Sequence, residues 1–391
     1  MKKPRIKLMS AAASALAFAV PMAAHAQSSV TLYGVLDAGF LYVNNVHGSQ
    51  QYALSAGWFQ GNRWGLTGVE DLGGGYQAIF RLESGFSPLN GSLSQGNALF
   101  GRQAWVGIAS PYGTLTLGRQ YDAIVDYVEP ARASTALLIN HPAEFDNLGN
   151  DYRLNNAVKY ASVSYGGVKF GGLFSAGGVA GNFAQNRAWS LGASYAHGPL
   201  YFGAAYLNAR DPNFSYYGNN PASSTTGSNM SSYRIFSGYA SAQTLETIAA
   251  TVGYTSGPAS VAATYTNVRF SGLGAHAALD TSGYRGTAAF NTAELALGYW
   301  FTPAFKFGTS YQYIHGAPVG EGGAGRVTYH EADVSLDYYL SKRTDIYALV
   351  MAQQASGKDS TGQAAVAQLW ALSASSTNRQ IGAVIGMRHK F

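Results

Sequence analysis

Taken two residues at a time, the chain repeatedly splits into an apolar and a polar face. FKFGTSYQY (305–313) sets Phe305, Phe307, Thr309, Tyr311 and Tyr313 against Lys306, Gly308, Ser310 and Gln312. HEADVSLDYYL (330–340) sets Ala332, Val334, Leu336, Tyr338 and Leu340 against Glu331, Asp333, Ser335, Asp337 and Tyr339. VTLYGVLDAGFLY (30–42) and TAELALGYWF (292–301) alternate in the same way. A period of two over about ten residues predicts half-buried strands. The pattern persists through QIGAVIGMRHKF (380–391), where Phe391, His389, Met387, Ile385 and Ala383 oppose Lys390, Arg388, Gly386 and Val384.

The connections between these segments are of two kinds, and the kinds alternate. EDLGGG (70–75), SPYG (110–113), YGG (165–167), HGP (197–199), SGP (256–258), TPA (302–304) and SKRT (341–344) are short. The others, near 44–57, 87–98, 122–152, 180–187, 211–243, 271–286, 315–326 and 355–377, are long, and 211–243 has room for a hairpin at 233–240. Seven short and eight long connections join sixteen strands. Short turns on one rim and long loops on the other fit a closed, antiparallel, transmembrane β-barrel. A soluble all-β protein would also alternate, but its charges would face outward. Here Glu294, Glu331, Asp333 and Asp337 share a face while Tyr and Phe crowd the other near strand ends. That places lipid outside, water inside and aromatic girdles at the interfaces.

Composition supports this reading. Charged residues are 12% of the chain, about half the usual share. No apolar run of ~18 residues comes after the first segment, so no transmembrane helix is expected. Cysteine is absent, so no disulfide supplies stability. The first residues, KKPRIK then LMSAAASALAFAV and Ala24-His25-Ala26, have the layout of a secretory signal peptide. Residues 1–26 are therefore expected to be a leader and 27–391 the barrel. The leader carries Lys2, Lys3, Arg5 and Lys7 and no acid, so its loss reduces the net charge from +5 by four. Nothing then favours a nucleic-acid partner.

Several stretches resemble the trimeric general porins of Gram-negative outer membranes, in particular the β-proteobacterial type. They are SSVTLYGVLDAGF (28–40), NRWGLTGVEDLGGG (62–75), AIFRLESGF (78–86), LFGRQAWVGI (99–108), GTLTLGRQYD (113–122), NNAVKY (155–160), LSKRTDIY (340–347) and the terminal MRHKF. The resemblance covers nearly the whole chain after the leader, although the long loops do not share in it. It implies a sixteen-stranded barrel, a homotrimer, and passive diffusion of small hydrophilic solutes and ions. Outer-membrane lipid, lipopolysaccharide and the barrel assembly machinery are the further partners it implies, with Phe391 as the assembly signal. No cofactor is implied.

The connection 122–152 is longer than a structureless loop in a compact domain should be. The resemblance makes it the loop that folds into the barrel and narrows it. It carries Asp122, Asp126, Glu129, Glu144, Asp146 and Asp151. PAEFD (142–146) looks like the family's Pro-Glu-Phe motif with Ala143 inserted. Opposite that loop the family carries a basic wall, matched here by Arg63, Arg102 and Arg153. Strand parity turns Arg63 and Arg153 inward and adds Arg81 and Lys159, because Trp64, Leu82 and Tyr160 take the lipid face. A charge at mid-membrane depth on that face would cost about 2–4 kcal/mol. Arginines facing carboxylates create a transverse field that favours polar solutes over apolar ones. Arg119 has the outward parity of Leu115 and Leu117 and is expected at a trimer contact. SPLNGSLSQGNA (87–98) matches the family's loop that reaches over the adjacent subunit.

No G-x-S-x-G, G-x-x-x-x-G-K-[ST] or H-E-x-x-H occurs, and the histidines lack metal-ligand spacing. No catalytic or metal residue is therefore assigned, and the chain is expected not to be an enzyme. Alternatives to a general channel are a substrate-specific channel on the same barrel, or an adhesin using the long loops.

Overall fold

The computed structural model describes residues 28–133, 135 and 140–391. The expected leader, 1–26, lies outside the described residues. Strand segments run in order β1 (Ser29–Val46), β2 (Ser49–Ala56), β3 (Arg63–Gly73), β4 (Tyr76–Gly85), β5 (Gln103–Ser110) and β6 (Gly113–Gln120). They continue as β7 (Leu154–Ser162), β8 (Val168–Ser175), β9 (Ala188–His197), β10 (Leu200–Arg210), β11 (Thr244–Ser256) and β12 (Ala259–Leu273). The last are β13 (Gly286–Thr302), β14 (Phe305–Gly316), β15 (Val327–Tyr339), β16 (Thr344–Gly357) and β17 (Arg379–Lys390).

All 17 segments belong to one sheet. The upper part of β1 pairs with β2 and the lower part with β3, so β2 and β3 are one interrupted wall strand. The wall thus has sixteen antiparallel strands. It closes where β1 pairs with β17, with Asp37 opposite Arg388 and Phe40 opposite Ile385. Closure removes both sheet edges, which matters because an open edge in lipid would leave backbone groups unsatisfied. The period-two pattern is realised as expected: Leu32, Phe40, Leu295, Leu297, Tyr311 and Ile385 are exposed on the outside, while Glu294, Gln312, Asp333 and Asp337 are buried inside.

Three expectations are corrected. The long connection at 44–57 is a tight turn at His47-Gly48, both at positive φ, leading into a strand. The real irregularity is at 57–62, between β2 and β3. No hairpin forms at 233–240, where Ser237–Tyr239 make a 3-10 turn instead. The inner face is also not polar throughout. Leu207, Leu245, Phe270, Phe290 and Ile314 face inward near the long-loop rim, where Tyr216, Tyr217, Phe236 and Tyr239 from loop 211–243 cover them. This apolar core roofs one side of the barrel and leaves the opening beside β3–β7.

Candidate functional pore

A cavity of about 910 Å³ opens beside β3–β7. Arg63, Arg81, Arg102 and Arg153 line it. Register explains the grouping: on β3 and β4, Arg63 lies opposite Gly85 and Arg81 opposite Thr67, while Arg102 and Arg153 lie just before β5 and β7. The Arg81 guanidinium lies 5.8 Å from the ring centres of both Tyr33 and Trp105.

This basic wall contains its own acid, Glu83. Arg102 Nε lies 2.8 Å from Glu83 Oε1, Arg63 Nε 3.8 Å from Oε2, and the Tyr33 hydroxyl donates to Oε2 at 2.8 Å. The Tyr121 hydroxyl accepts from Arg102 Nη2 at 3.0 Å and Arg153 Nη2 at 3.3 Å. Such fixed partners hold the guanidinium groups in one geometry, which free side chains would not do. Lys159 does not line the cavity. It pairs with Asp126 and donates to the Tyr121 carbonyl at 3.0 Å, so it fastens the loop to the wall.

The loop between β6 and β7 enters the barrel as two short helices, α1 (Ala123–Tyr127) and α2 (Glu129–Ala133). Asp122 caps α1: its carboxylate accepts from the Ile124 amide at 2.8 Å and from Asn147 Nδ2 at 2.8 Å. The Tyr201 hydroxyl on β10 donates to the Tyr127 carbonyl at 2.9 Å. Past α2, a Cβ at Gly298 on β13 would collide with the Thr135 carbonyl, so this glycine permits the close approach.

The six loop acids have different surroundings. Asp126 and Glu129 line the cavity. Asp122, Glu144 and Asp146 are buried and do not. Glu144 accepts from the amides of His141 at 3.0 Å and Gly149 at 2.6 Å, with Ala143 and Glu144 both at positive φ. The inserted Ala143 thus bends the chain so that Glu144 closes a turn. Asp146 accepts from His141 Nδ1 at 2.7 Å and the Thr266 hydroxyl at 2.7 Å. Asp151 also lines the cavity, accepting from Trp370 Nε1 at 2.7 Å.

A buried latch that sequence reading did not find completes the loop's attachment. Arg132 grips Glu294 on β13 through Nε at 2.5 Å and Nη2 at 3.1 Å. His141 Nε2 lies 3.5 Å from the same carboxylate. Burial alone would lower the His141 pKa, but the Asp146 carboxylate outweighs it and raises it to about 10. The inward parity of Glu294 was visible in the sequence, but its partner was not. Burial raises Glu129 to about 7 and Asp122 to about 6.

Arg119 lies opposite Ala104 in an unbroken β5–β6 register, which keeps it on the parity of Leu117 as expected. The β6–β7 register shifts between Gly118 and Gln120, with Gly118 at φ 135°. The extra residue of that shift is on β7, and at the end of β6 the long Arg119 side chain reaches the cavity rim, where it donates to the Gly101 carbonyl at 2.7 Å, Asn155 Oδ1 at 2.5 Å and the Asn219 carbonyl at 2.6 Å. Loop 87–98 likewise contributes Ser87, Leu89, Ser94 and Gln95 to the lining of this chain's own cavity.

A closed barrel with a lipid-facing wall, a charged interior and an in-folded loop is the architecture of an outer-membrane barrel protein. Residues 11–358 match the Gram-negative porin family, and the chain belongs to that family. It is 36% identical over 235 residues to an outer membrane porin protein of Bordetella pertussis, covering 50% of this chain and 59% of that one. It is 34% identical over 179 residues to outer membrane porin protein 32 of Delftia acidovorans, covering 44% and 48%. The chain thus matches about half to three-fifths of those relatives' lengths. Among solved structures, an anion-selective porin from Comamonas acidovorans superposes with a TM-score of 0.70 at 20% identity, covering 93% of this chain and 100% of that one. The outer membrane of a Gram-negative bacterium is the corresponding location.

Proposed function

We propose that the chain is a passive diffusion channel for small hydrophilic solutes and ions, working as a homotrimer in the outer membrane, with a preference for anions. The observation that carries this is the charge lining the cavity. Arg63, Arg81, Arg102, Arg119, Arg132 and Arg153 border a cavity whose lining acids are Glu83, Asp126, Glu129 and Asp151, and Arg132 is committed to Glu294. Glu83 is already committed to Arg102, and Asp126 to Lys159. The uncommitted surplus is basic, and rings of Arg and Lys favour anions in a narrow pore. The anion-selective structural relative supports the same reading. Asp122, Glu144 and Asp146 act by holding the loop in place. Lipopolysaccharide and lipid would surround the trimer, Phe391 would be read by the barrel assembly machinery, and residues 1–26 would be removed on export.

Planar-bilayer recording tests this. Stepwise conductance should come in threes, and the reversal potential across a salt gradient should show anion preference that Arg102→Ala reduces. Purified trimers without conductance would overturn the channel, and cation preference in the wild type would overturn the charge argument.

A further inference from the structure

At 57–62 the wall strand leaves the ladder and turns into the barrel. Ala56 pairs with Ala38 and Arg63 with Val35, so the break sits midway along β1, at the depth of the arginines. Six residues are far more than a bulge inserts, and their loss from the ladder would strand polar groups on β1. Asp37 and Asn62 prevent this. The Asp37 carboxylate, 0% exposed, accepts from the Phe59 and Gln60 amides at 2.9 Å each and from the Tyr347 hydroxyl at 2.5 Å. Asn62 Oδ1 accepts from the Asp37 amide at 2.6 Å, Asn62 Nδ2 donates to the Asp37 carbonyl at 2.9 Å, and the Gly57 amide donates to the same carbonyl at 3.0 Å.

The segment is also packed from below and above. Phe59 stacks on Tyr347 with ring centres 4.0 Å apart and 11° between planes, and the Arg388 guanidinium lies 5.5 Å from its ring centre. Trp58 meets Trp370 edge-on at 6.0 Å, and Trp370 is held by Asp151 at the exit of the constriction loop. The Gly61 carbonyl accepts from Arg63 Nη1 at 3.0 Å. All of residues 57–62 line the cavity.

We infer that residues 57–62 form a second constriction element, a shelf fixed to the β1–β16–β17 wall by Asp37, which sets the pore's size limit together with the in-folded loop. The loop narrows the barrel from β8–β13, and the shelf fills the wall on the other side of the arginines. Gly57, Gln60 and Gly61 are its part-exposed residues and none of 57–62 is charged, so it sorts by bulk rather than by charge. This rests on the channel reading proposed for the chain.

The chain has no cysteine, so Gln60→Cys gives a single reactive site on the shelf. Thiol reagents of increasing size, added to open Gln60→Cys trimers in bilayers, should lower conductance stepwise with reagent size and leave the wild type unaffected. Trp58→Ala with Phe59→Ala should raise single-channel conductance on the order of 1.5-fold and admit larger neutral sugars in liposome swelling. A conducting Gln60→Cys channel indifferent to every reagent overturns the shelf while leaving the channel reading intact. A well-folded double variant with unchanged conductance and size limit does the same. Wild-type trimers that conduct nothing would instead defeat the channel reading.

Discussion

Arg132 and Glu294 are separated by 162 residues in sequence, and their charged groups meet at 2.5 Å with both side chains buried. The contact joins the constriction loop to β13 across the barrel. Breaking one half of a buried pair leaves the other charge uncompensated, at a cost of about 3–5 kcal/mol. Glu294→Ala should therefore release the loop tip. Bilayer recordings should show noisier open-channel current and a weaker charge preference, with the barrel's melting temperature changed little, because the wall ladder is untouched.

The His141–Asp146 contact gives this latch a pH window. His141 is raised from 6.5 to about 10, so its contribution is complete below about 6.5 and is lost as pH rises through about 10. Asp146 is lowered: burial alone would raise it, but the His141 charge outweighs that, so its contribution is present above the ordinary carboxylate range and lost on acidification. Protease cleavage within 122–152 should be slowest in mildly acidic to neutral buffer and accelerate towards pH 10. His141→Gln should flatten the alkaline limb.

Glu129 lines the cavity and has a pKa near neutrality, raised by burial to about 7. Below that value it is uncharged and the lining is more basic; above it the carboxylate offsets an arginine. Anion preference should thus strengthen from pH 8 to pH 6. The shift in reversal potential should vanish in Glu129→Gln, which should resemble the wild type at low pH throughout.

Phe391 continues the closing seam to the last residue. Its amide donates to the Gly34 carbonyl at 3.1 Å, and its carbonyl accepts from the Gly34 amide at 3.0 Å. Its ring occupies the space a Cβ at Gly34 would need. Deleting Phe391 or introducing Gly34→Leu should lower the yield of folded trimer several-fold, while those trimers that form keep wild-type conductance. Semi-native gels measure the first and bilayers the second.

The barrel wall was legible because its information is local. Alternation assigns each residue to lipid or lumen without knowledge of its neighbours, and it placed Arg63, Arg81, Glu294 and Arg388 on the inner face. His389, a polar ring on the outer face, has its Nδ1 2.8 Å from the Thr344 hydroxyl across the β16–β17 register. Parity set Arg119 on the face of Leu117 and its register with Ala104 agrees, but only the structure shows its guanidinium reaching the cavity rim to meet Asn155 and Asn219. The loop acids were legible as a group but not sorted: composition shows that a segment is acidic but not which carboxylates border the cavity. Asp126 and Glu129 do, Asp126 while paired with Lys159, whereas Asp122, Glu144 and Asp146 are buried, capping amides and holding His141.

By itself, then, the sequence determined the strands, their count, their facing and the membrane they suit, since a two-residue period in lipid admits only a closed wall. The tertiary structure alone decided which charges remain available in the pore. That outcome depends on meetings between distant residues: Arg132 with Glu294, Glu83 with Arg102, and Asp37 with the backbone of 57–62. Each is a short-range interaction between groups that only the closed ring brings into reach, so no pattern along the chain could announce it.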